Sequence, residues 1–277
     1  MHSFINKEFF NKQAVVSFSG GMDSTCLVLY LLAQGYRVST YSFDYGQAHL
    51  VELQRACSNV EYLHDKLELP VYHQIINLRD AFSGDPSTLV QHTKSPEGDY
   101  REESMKATVV NNRNVIFSAV LFAKALSLAK RTLEDLKYNA GTDPQQQVSE
   151  QELREQAMVQ IAMGVHAGDH AIYPDCKPES VNMARELYRI SNWDSELVDY
   201  MAPFVNCSKG TVLKLGIQAM NDLGLSPIEQ NHILAHTISC YNATPDGRSC
   251  GKCGTCTERL EAFKENGLTD PAPYVHE

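Results

Sequence analysis

One stretch near the start of the chain decides the fold: Ala14-Val-Val-Ser-Phe-Ser-Gly-Gly-Met-Asp-Ser24. Its first half is a short apolar run of the kind that forms a buried strand, and its second half is rich in glycine and serine. A glycine-rich turn between a strand and a helix points backbone N–H groups and the positive end of the helix dipole at an anion. The stretch therefore predicts a strand, a phosphate-binding loop and a helix, in that order.

The residues that follow repeat the alternation of strand and helix. Residues 24–34 predict a helix that ends at Gly35, and residues 37–43 predict a second strand. The other predicted elements are strands near 71–76 and 158–163 and helices over 48–67, 115–130 and 211–219. This alternation favours an α/β fold, with a Rossmann-like parallel sheet covered by helices on both faces.

Two segments interrupt the pattern. Residues 83–106 are polar, with proline, glycine and charge but little periodicity, and they predict a flap. Residues 131–156 are rich in glutamine and glutamate and predict an inserted, solvated excursion that holds a short charged helix.

Composition narrows the class of protein. The 277 residues are 43% hydrophobic and carry a formal net charge of −10, which disfavours a broad surface for nucleic acid or for an anionic membrane. No stretch approaches the roughly twenty apolar residues of a membrane span, and the first residues lack an apolar signal core. We therefore expect a cytoplasmic protein with small-molecule ligands, no membrane contact and no nucleic-acid partner.

Four of the eight cysteines are clustered near the end of the chain: Cys240, Cys250, Cys253 and Cys256. Two Cys-x-x-Cys steps share Cys253, and neighbouring glycines let several thiolates reach one ion. A disulfide or buried free thiols suit this spacing and a reducing compartment less well. The cluster predicts one structural zinc ion without an open coordination position, and an iron–sulfur cluster is the competing interpretation.

The glycine-rich loop is not a Walker A motif, because no Gly-Lys-Ser/Thr follows it. Ser-Gly-Gly-x-Asp-Ser resembles the loop with which ATP pyrophosphatases (PP-loop enzymes) transfer AMP to an oxygen and release pyrophosphate. An ordinary strand-to-helix turn capped by serine is the alternative. The predicted ATP-binding residues of this loop are Phe18, Ser19, Gly20, Gly21, Met22, Asp23, Ser24 and Thr25.

Several charged residues elsewhere stand where a ligand would be bound. Asp44 follows the second strand, at the carboxyl edge of the predicted sheet, and is a candidate for nucleotide or Mg²⁺. Arg113 precedes the apolar helix and offers a fork of donors to a phosphate or a carboxylate, unless it is a surface residue. Asp169 and Asp175 have a geometry suited to the N–H edge of a guanine-like base, although the surrounding loop also suits a metal or a purely structural role. Lys209 follows the predicted cap Ser208 and either faces phosphates or lies in solvent.

Together these motifs resemble the QueC family of 7-cyano-7-deazaguanine synthases, within the PP-loop superfamily, nearly from end to end. The matching segments are Phe18-Ser-Gly-Gly-Met-Asp-Ser-Thr25, Phe43-Asp-Tyr-Gly-Gln47, Arg113-Asn114, Gly164-Val165 with Asp169, Tyr173-Pro-Asp-Cys176, Ser239-Cys-Tyr-Asn242, Cys250-Gly-Lys-Cys-Gly-Thr-Cys-Thr-Glu-Arg259 and Gly267-Leu-Thr-Asp-Pro271. Asn111 stands where the family usually has proline, and the excursion after residue 130 is longer than the family pattern.

The resemblance implies a fold, a reaction and a set of site residues. It implies an adenine nucleotide alpha-hydrolase-like domain over 1–230, a helical zinc-binding region over 231–277, and a homodimer with one zinc per chain. The substrates would be 7-carboxy-7-deazaguanine, ammonia and ATP with Mg²⁺, and the product the 7-cyano base formed through an adenylated carboxylate and an amide. The implied catalytic residues are Asp23, Ser24, Arg113 and Lys209, and the implied substrate contacts are Gln47, Asp169, Tyr173 and Asp175.

Three other functions share parts of this pattern. A tRNA sulfur-transfer enzyme has the same loop, but it should show a basic RNA-binding surface and a catalytic cysteine pair. A binding protein that retains the fold would turn over no ATP. A QueC-like enzyme that attaches the deazapurine to an amine on a macromolecule would activate the same carboxylate.

Overall fold

The computed structural model describes residues 10–97, 103–142 and 148–275. Five strands within these residues form one sheet with the order β3-β2-β1-β4-β5, and every neighbouring pair is parallel. The strands are β1 (Lys12–Ser17), β2 (Tyr36–Asp44), β3 (Val71–Asn77), β4 (Val159–Ala162) and β5 (Val198–Met201). The predicted parallel α/β sheet is confirmed.

Eight α-helices accompany the sheet in the described residues. Each helix predicted from the sequence is present, although the helix predicted over 48–67 ends as a π-helical turn, Tyr62–Lys66. The helices are α1 (Met22–Ala33), α2 (Val51–Glu61), α3 (Arg113–Thr142), α4 (Glu150–Gln156), α5 (Pro178–Ser191), α6 (Lys209–Asp222), α7 (Pro227–Ala235) and α8 (Gly254–Glu265). None of them is long and apolar enough to cross a membrane.

The sheet is buried on both faces because side chains of a strand alternate between its two sides. Along β1, Ala14 and Val16 pack into the core formed with α1 and α6, whereas Val15 packs into the core formed with α3. All three residues are fully buried. An uninterrupted apolar strand is therefore what this position of the sheet requires.

The helix that begins at Arg113 is longer than the sequence predicts. Residues 131–142, predicted as part of an inserted, solvated excursion, instead continue α3 as a helix, and Leu133 is buried in the core. The polar residues of this part of α3 share the helix with the buried Leu133. A helix with one buried apolar face and one polar face is amphipathic, as surface helices are. The short charged helix is confirmed as α4, and residues 143–147 lie outside the described residues.

The predicted flap is irregular, and part of it is fixed to the cysteine-rich end of the chain. The backbone N–H of Ser95 donates to Asn242 Oδ1 at 2.9 Å, and Asn242 Nδ2 donates back to the Ser95 carbonyl at 3.0 Å. Glu97 forms an isolated antiparallel bridge with Cys253. Residues 98–102 of this segment lie outside the described residues.

The strand order places a crevice beside β1. The chain runs from β1 outward to β2 and β3, then crosses to the other side of β1 to form β4 and β5. In open parallel sheets, ligands bind at the carboxyl ends of the strands where the order reverses in this way. The loops after β1 and β4 are therefore the expected walls of a ligand site.

Candidate active site

A cleft of about 220 Å³ opens at this position. It lies between the loops that follow β1, β2 and β4, the first turns of α2 and α3, and the segment that precedes the cysteine cluster. The predicted site residues that line it are Phe18, Ser19, Gly21, Asp23, Ser24, Gln47, Arg113, Asp169, Tyr173 and Lys209. Residues from five separate parts of the sequence are thus brought to one space.

Hydrogen bonds within the loop hold the phosphate loop (residues 19–24) in its shape. Ser19 Oγ accepts from the Gly21 N–H at 3.2 Å, and Ser24 Oγ donates to the Gly21 carbonyl at 3.2 Å. Gly21 lies at the N-terminus of α1 and receives no side-chain cap. The start of α1 therefore faces the cleft with the positive end of its dipole, as an anion site requires.

Gly20 has no room for a side chain. Its φ is +78°, and a Cβ there would lie 2.9 Å from both the Ala56 nitrogen and the Glu52 carbonyl oxygen of α2. The Gly20 carbonyl also accepts from the Ile238 N–H at 3.1 Å. Gly20 therefore packs against α2 and fixes the position of the loop, whereas Gly21 lines the cleft.

We expect Gly20→Ala to lower the free energy of unfolding by about 3 kcal/mol, combining the left-handed backbone with overpacking against α2. The measurement is urea denaturation followed by circular dichroism. Gly84→Ala is the matched control, because Gly84 also has a positive φ, +84°, but a Cβ there would meet no other described part of the chain within 4 Å. Equal losses in the two variants would show that the contact with α2 contributes nothing.

Lys209 lies at the centre of a buried charge cluster. It is only 6% exposed, its Nζ donates to Glu258 Oε2 at 2.6 Å, and it lies 3.4 Å from Asp23 Oδ2. Burial by itself lowers the pKa of Lys209, but the carboxylates of Asp23, Glu258 and Asp169 together raise it above the ordinary lysine value. Lys209 is therefore a fixed positive charge beside the phosphate loop.

His166 completes this cluster from the loop after β4. Its Nδ1 accepts from the Gly168 N–H at 3.1 Å, so the proton of the neutral ring is on Nε2. That Nε2 lies 3.8 Å from Asp23 Oδ2 and 3.8 Å from Asp169 Oδ2. The ring therefore lies beside the carboxylates of both Asp23 and Asp169.

The two carboxylate oxygens of Asp23 differ in their surroundings. Its Oδ2 faces Lys209 and His166, whereas its Oδ1 is buried without a hydrogen-bond partner among the described residues. An unsatisfied buried carboxylate oxygen is costly unless a cation or donor reaches it. The donor set here, a carboxylate beside a phosphate loop, fits Mg²⁺, which prefers oxygen ligands and substrate phosphates.

Arg113, at the first turn of α3, also lines the cleft. Its guanidinium carbon lies 5.8 Å from the centre of the Tyr45 ring and 5.7 Å from that of Tyr173. The Tyr173 hydroxyl is bonded to Thr108 at 2.6 Å and to Tyr241 at 3.0 Å. Arg113 is thus held by aromatic faces, which leaves its planar fork suited to an anionic ligand.

Three predicted contacts are engaged elsewhere. Asp44 accepts from Arg79 at 2.9 Å, and this hydrogen bond lowers the pKa of Asp44. Asp175 accepts from the Asn114 N–H at 3.2 Å, at the N-terminus of α3. Gln47 lines the cleft, but its amide binds its own turn, through Tyr45 N and Phe43 O. Asp44, Asp175, Gly20, Met22 and Thr25 do not line the cleft.

The four clustered cysteines form a compact group. Their sulfur atoms all lie within 4.8 Å of one another, with Cys250 and Cys256 at 4.0 Å and Cys240 and Cys253 at 3.9 Å. Zinc–sulfur bonds of about 2.3 Å in a tetrahedron place sulfurs about 3.8 Å apart. The group therefore fits one tetrahedral metal ion, and the predicted four-cysteine region is confirmed as a possible metal site.

Helix α8 connects this group to the cleft. Cys253 is its cap residue, and Cys256 and Glu258 follow in its first turns. The next residue, Arg259, is 1% exposed and donates to Asp270 at 2.6 and 2.9 Å and to Thr237 Oγ1 at 2.7 Å. The same short helix, with its cap residue, thus carries two cysteines of the possible metal site, the arginine of a buried ion pair and the partner of Lys209.

Two members of the charge cluster are not predicted as site residues by the sequence. His166 belongs to the loop that holds Asp169, but a single histidine is more often packed than functional. Glu258 follows Cys256 by two residues, inside a segment whose spacing indicates only a metal site. In the structure, a Cβ at Gly168 would collide with Glu258 Oε1, so this glycine makes room for the carboxylate. The sequence shows the glycine but not the residue for which it makes room.

Comparison with known proteins identifies the family. The family model described as "Queuosine biosynthesis protein QueC" matches residues 13–133 and 147–267. A 7-cyano-7-deazaguanine synthase of Methanoregula boonei is 38% identical over 266 residues, covering 95% of this chain and 99% of that protein. One from Pseudoalteromonas translucida is 36% identical with the same coverage.

A solved structure was also compared with the fold. The U34-tRNA thiolase NcsA from Methanococcus maripaludis, with its 4Fe-4S cluster, is 12% identical and covers 80% of this chain and 64% of its own, with a TM-score of 0.30. That likeness has no bearing on the substrate or the metal. The match of the family model and the relatives decides the assignment: this chain belongs to the QueC family of queuosine biosynthesis enzymes.

Proposed function

We propose that the protein uses ATP to convert 7-carboxy-7-deazaguanine and ammonia to 7-cyano-7-deazaguanine. The observation that carries the proposal is the cleft, where a phosphate loop, the charged Lys209 and Arg113 surround one space. The names of relatives that match nearly the whole chain support it. The reaction needs two activations of the same carbon, and one cleft with one phosphate loop suffices for both.

The first activation overcomes the low electrophilicity of a carboxylate. A carboxylate oxygen attacks the α-phosphorus of ATP, and pyrophosphate leaves. Lys209 and the N–H groups of the phosphate loop stabilise the charge of the departing pyrophosphate. Ammonia then attacks the acyl carbon, AMP leaves, and the amide remains in the cleft.

The second activation removes the amide oxygen. That oxygen attacks the α-phosphorus of a second ATP, pyrophosphate leaves, and the nitrogen loses one proton. The C–O bond then breaks, and AMP leaves with the electrons of that bond. The nitrogen loses its second proton, which gives the nitrile. Arg113 would stabilise the oxygen that is adenylated, and its place in the cleft between the Tyr45 and Tyr173 rings supports this role.

We assign the remaining roles by position. Ser19, Gly21 and Ser24 would bind phosphates, and Asp169 and Tyr173 would contact the base. Asp23 would hold Mg²⁺ with Oδ1, which has no hydrogen-bond partner among the described residues. Mg²⁺ supplies neutralisation of phosphate charge when bound. Asp175 and Gln47, which are engaged with backbone groups, fix the start of α3 and the turn after β2.

We infer zinc as the metal of the four cysteines, a homodimer as the assembly and the cytoplasm as the compartment. The thiolate set supports zinc, because four thiolates close its coordination sphere. Elemental analysis of the purified protein tests the metal, and light scattering tests the dimer. A brown protein that contains iron would contradict the assignment of zinc.

The proposed reaction is tested by mass spectrometry of a mixture of the protein, ATP, Mg²⁺, 7-carboxy-7-deazaguanine and ammonium. We expect the nitrile to form only when ammonium is present, with pyrophosphate released. Asp23→Asn should lower the rate by about 10²-fold or more, since it loses the negative charge that faces Lys209 and Mg²⁺.

The same mixture separates the alternatives. An adenylated acid that accumulates in the presence of ammonium would indicate that the natural acceptor is a different amine, as in a QueC-like enzyme that modifies a macromolecule. No consumption of ATP would contradict the proposed function and favour a binding protein.

A further inference from the structure

One acidic residue of the cleft has no role in the chemistry described so far. Glu52 lies in the first turn of α2 and lines the cleft together with Ser19 and Arg113, and its carboxyl group lies close enough to Arg113 for the guanidinium to affect it. Its backbone is fixed, because the Glu52 carbonyl packs against Gly20 of the phosphate loop. The residue is half-buried. An acidic residue with a fixed backbone therefore lines a cleft whose other charged residues include Arg113 and Lys209.

The carboxylate of Glu52 is not neutralised by a direct partner. No hydrogen bond or ion pair is made by its side chain within residues 10–97, 103–142 and 148–275. The charged and titratable groups that face it are Arg113 from α3 and Tyr45 from the turn after β2, and His49 precedes it by one turn. The acidic residues of the Lys209 cluster differ in this respect, because Asp23 and Glu258 both face a lysine.

Burial has a clear effect on this group. It raises the pKa of Glu52 to about 7, against the opposing effect of the Arg113 guanidinium. An acid with that pKa takes up and releases protons readily at neutral pH, as a general base must. Glu52 thus combines a position in the cleft, a carboxylate that no described residue pairs with directly, and a suitable proton affinity.

The proposed reaction requires such a group. Ammonia is present at neutral pH mainly as ammonium, which has no lone pair until it loses a proton. The nitrogen must then lose a further proton after it bonds to the acyl carbon, and two more on the way to the nitrile. Lys209 holds its own proton firmly, so it is not the acceptor.

We propose that Glu52 binds the ammonium ion in the cleft and is the base that accepts its proton. This inference rests on the proposed function. An N–H bond of ammonium breaks and its proton passes to the Glu52 carboxylate, while the freed lone pair forms the C–N bond and AMP leaves with the electrons of the C–O bond. Glu52 releases the proton to water and then takes the next proton from the same nitrogen.

The test compares Glu52→Gln with the wild-type enzyme in two half-reactions. Glutamine keeps the size of the side chain but cannot accept the proton. We expect pyrophosphate release from ATP and the acid to continue, while amide formation from ammonium falls by about 10²–10⁴-fold. Glu61→Gln is the matched control, because Glu61 is an exposed residue of the same helix; it should behave as the wild type.

Two further readouts separate a base from a structural residue. Hydroxylamine is largely unprotonated at neutral pH, so it should restore acyl transfer in Glu52→Gln and give the hydroxamate. The acidic limb of the pH profile of kcat/KM for ammonium, expected near pH 7 in the wild type, should move in the variant to the higher pH at which ammonium itself loses its proton.

The inference is overturned if Glu52→Gln forms amide at the wild-type rate, or if adenylation, ammonium transfer and hydroxylamine transfer all fall together. Failure of the wild type itself to adenylate the acid is a different result. It would contradict the proposed function, and this inference with it, before any variant is compared.

Discussion

Cys256→Ser is expected to remove the bound metal and to lower both the stability and the activity of the protein. A structural zinc ion supplies about 10–16 kcal/mol of apparent binding free energy in small zinc-binding peptides. Loss of one thiolate from four should therefore destabilise the fold by more than about 4 kcal/mol. Activity should fall as well, because α8 begins within the cysteine group and carries Glu258 to Lys209.

The measurements are the metal content per chain, the temperature of unfolding and the rate of nitrile formation. Cys57→Ser is the matched control, because Cys57 is a half-buried cysteine of α2 that lies outside the four-cysteine group. A Cys256→Ser protein that kept its metal and its unfolding temperature would show that Cys256 is not a ligand.

Lys209→Met is expected to reduce kcat by about 10²–10³-fold, because it removes a buried positive charge aimed at the phosphate loop. The variant also leaves the carboxylates of Asp23 and Glu258 facing each other without their cation. Breaking a buried ion pair from one side costs about 3–5 kcal/mol, so the variant should also have a lower free energy of unfolding.

The pKa of Lys209 also predicts how its contribution to the stability of the wild type depends on pH. Because the pKa of Lys209 is raised in the folded protein, its contribution to stability is complete below the ordinary pKa of lysine. It is lost only as the pH rises through the folded-state pKa, so it is constant across the neutral range. Lys214→Met is the control, since Lys214 is an exposed lysine of the same helix; equal effects of the two variants on kcat would remove Lys209 from the active site.

The features that the sequence predicts well are those built from neighbouring residues. The strand, phosphate loop and helix at residues 14–34 follow one another directly, and the cysteine spacing alone indicates a common ion. Ser208 is predicted as a cap, and it accepts from the Thr211 N–H in the structure. In each case the deciding interaction spans only a few residues.

The charge cluster could not be predicted in the same way. Lys209 and Glu258 are 49 residues apart in the chain, and their contact depends on how α8 returns to α6. In the sequence, Glu52 is a charged residue of a predicted helix, and such residues usually lie at the surface. Its position in the cleft depends on the packing of α2 against Gly20. The sequence underestimates the length of α3 for a related reason, because its solvent-facing residues are polar and the contacts of its buried side are distant in sequence.

The clamping of the phosphate loop has a consequence for how ATP binds. Gly20 is fixed between α2 and Ile238, and Ser19 and Ser24 bond the loop to itself. Ordering a flexible backbone costs about 1–2 kcal/mol of entropy per residue. Here that ordering occurs when the chain folds, so the binding energy of the nucleotide is not spent on shaping the loop and remains available to align the α-phosphorus with the attacking oxygen.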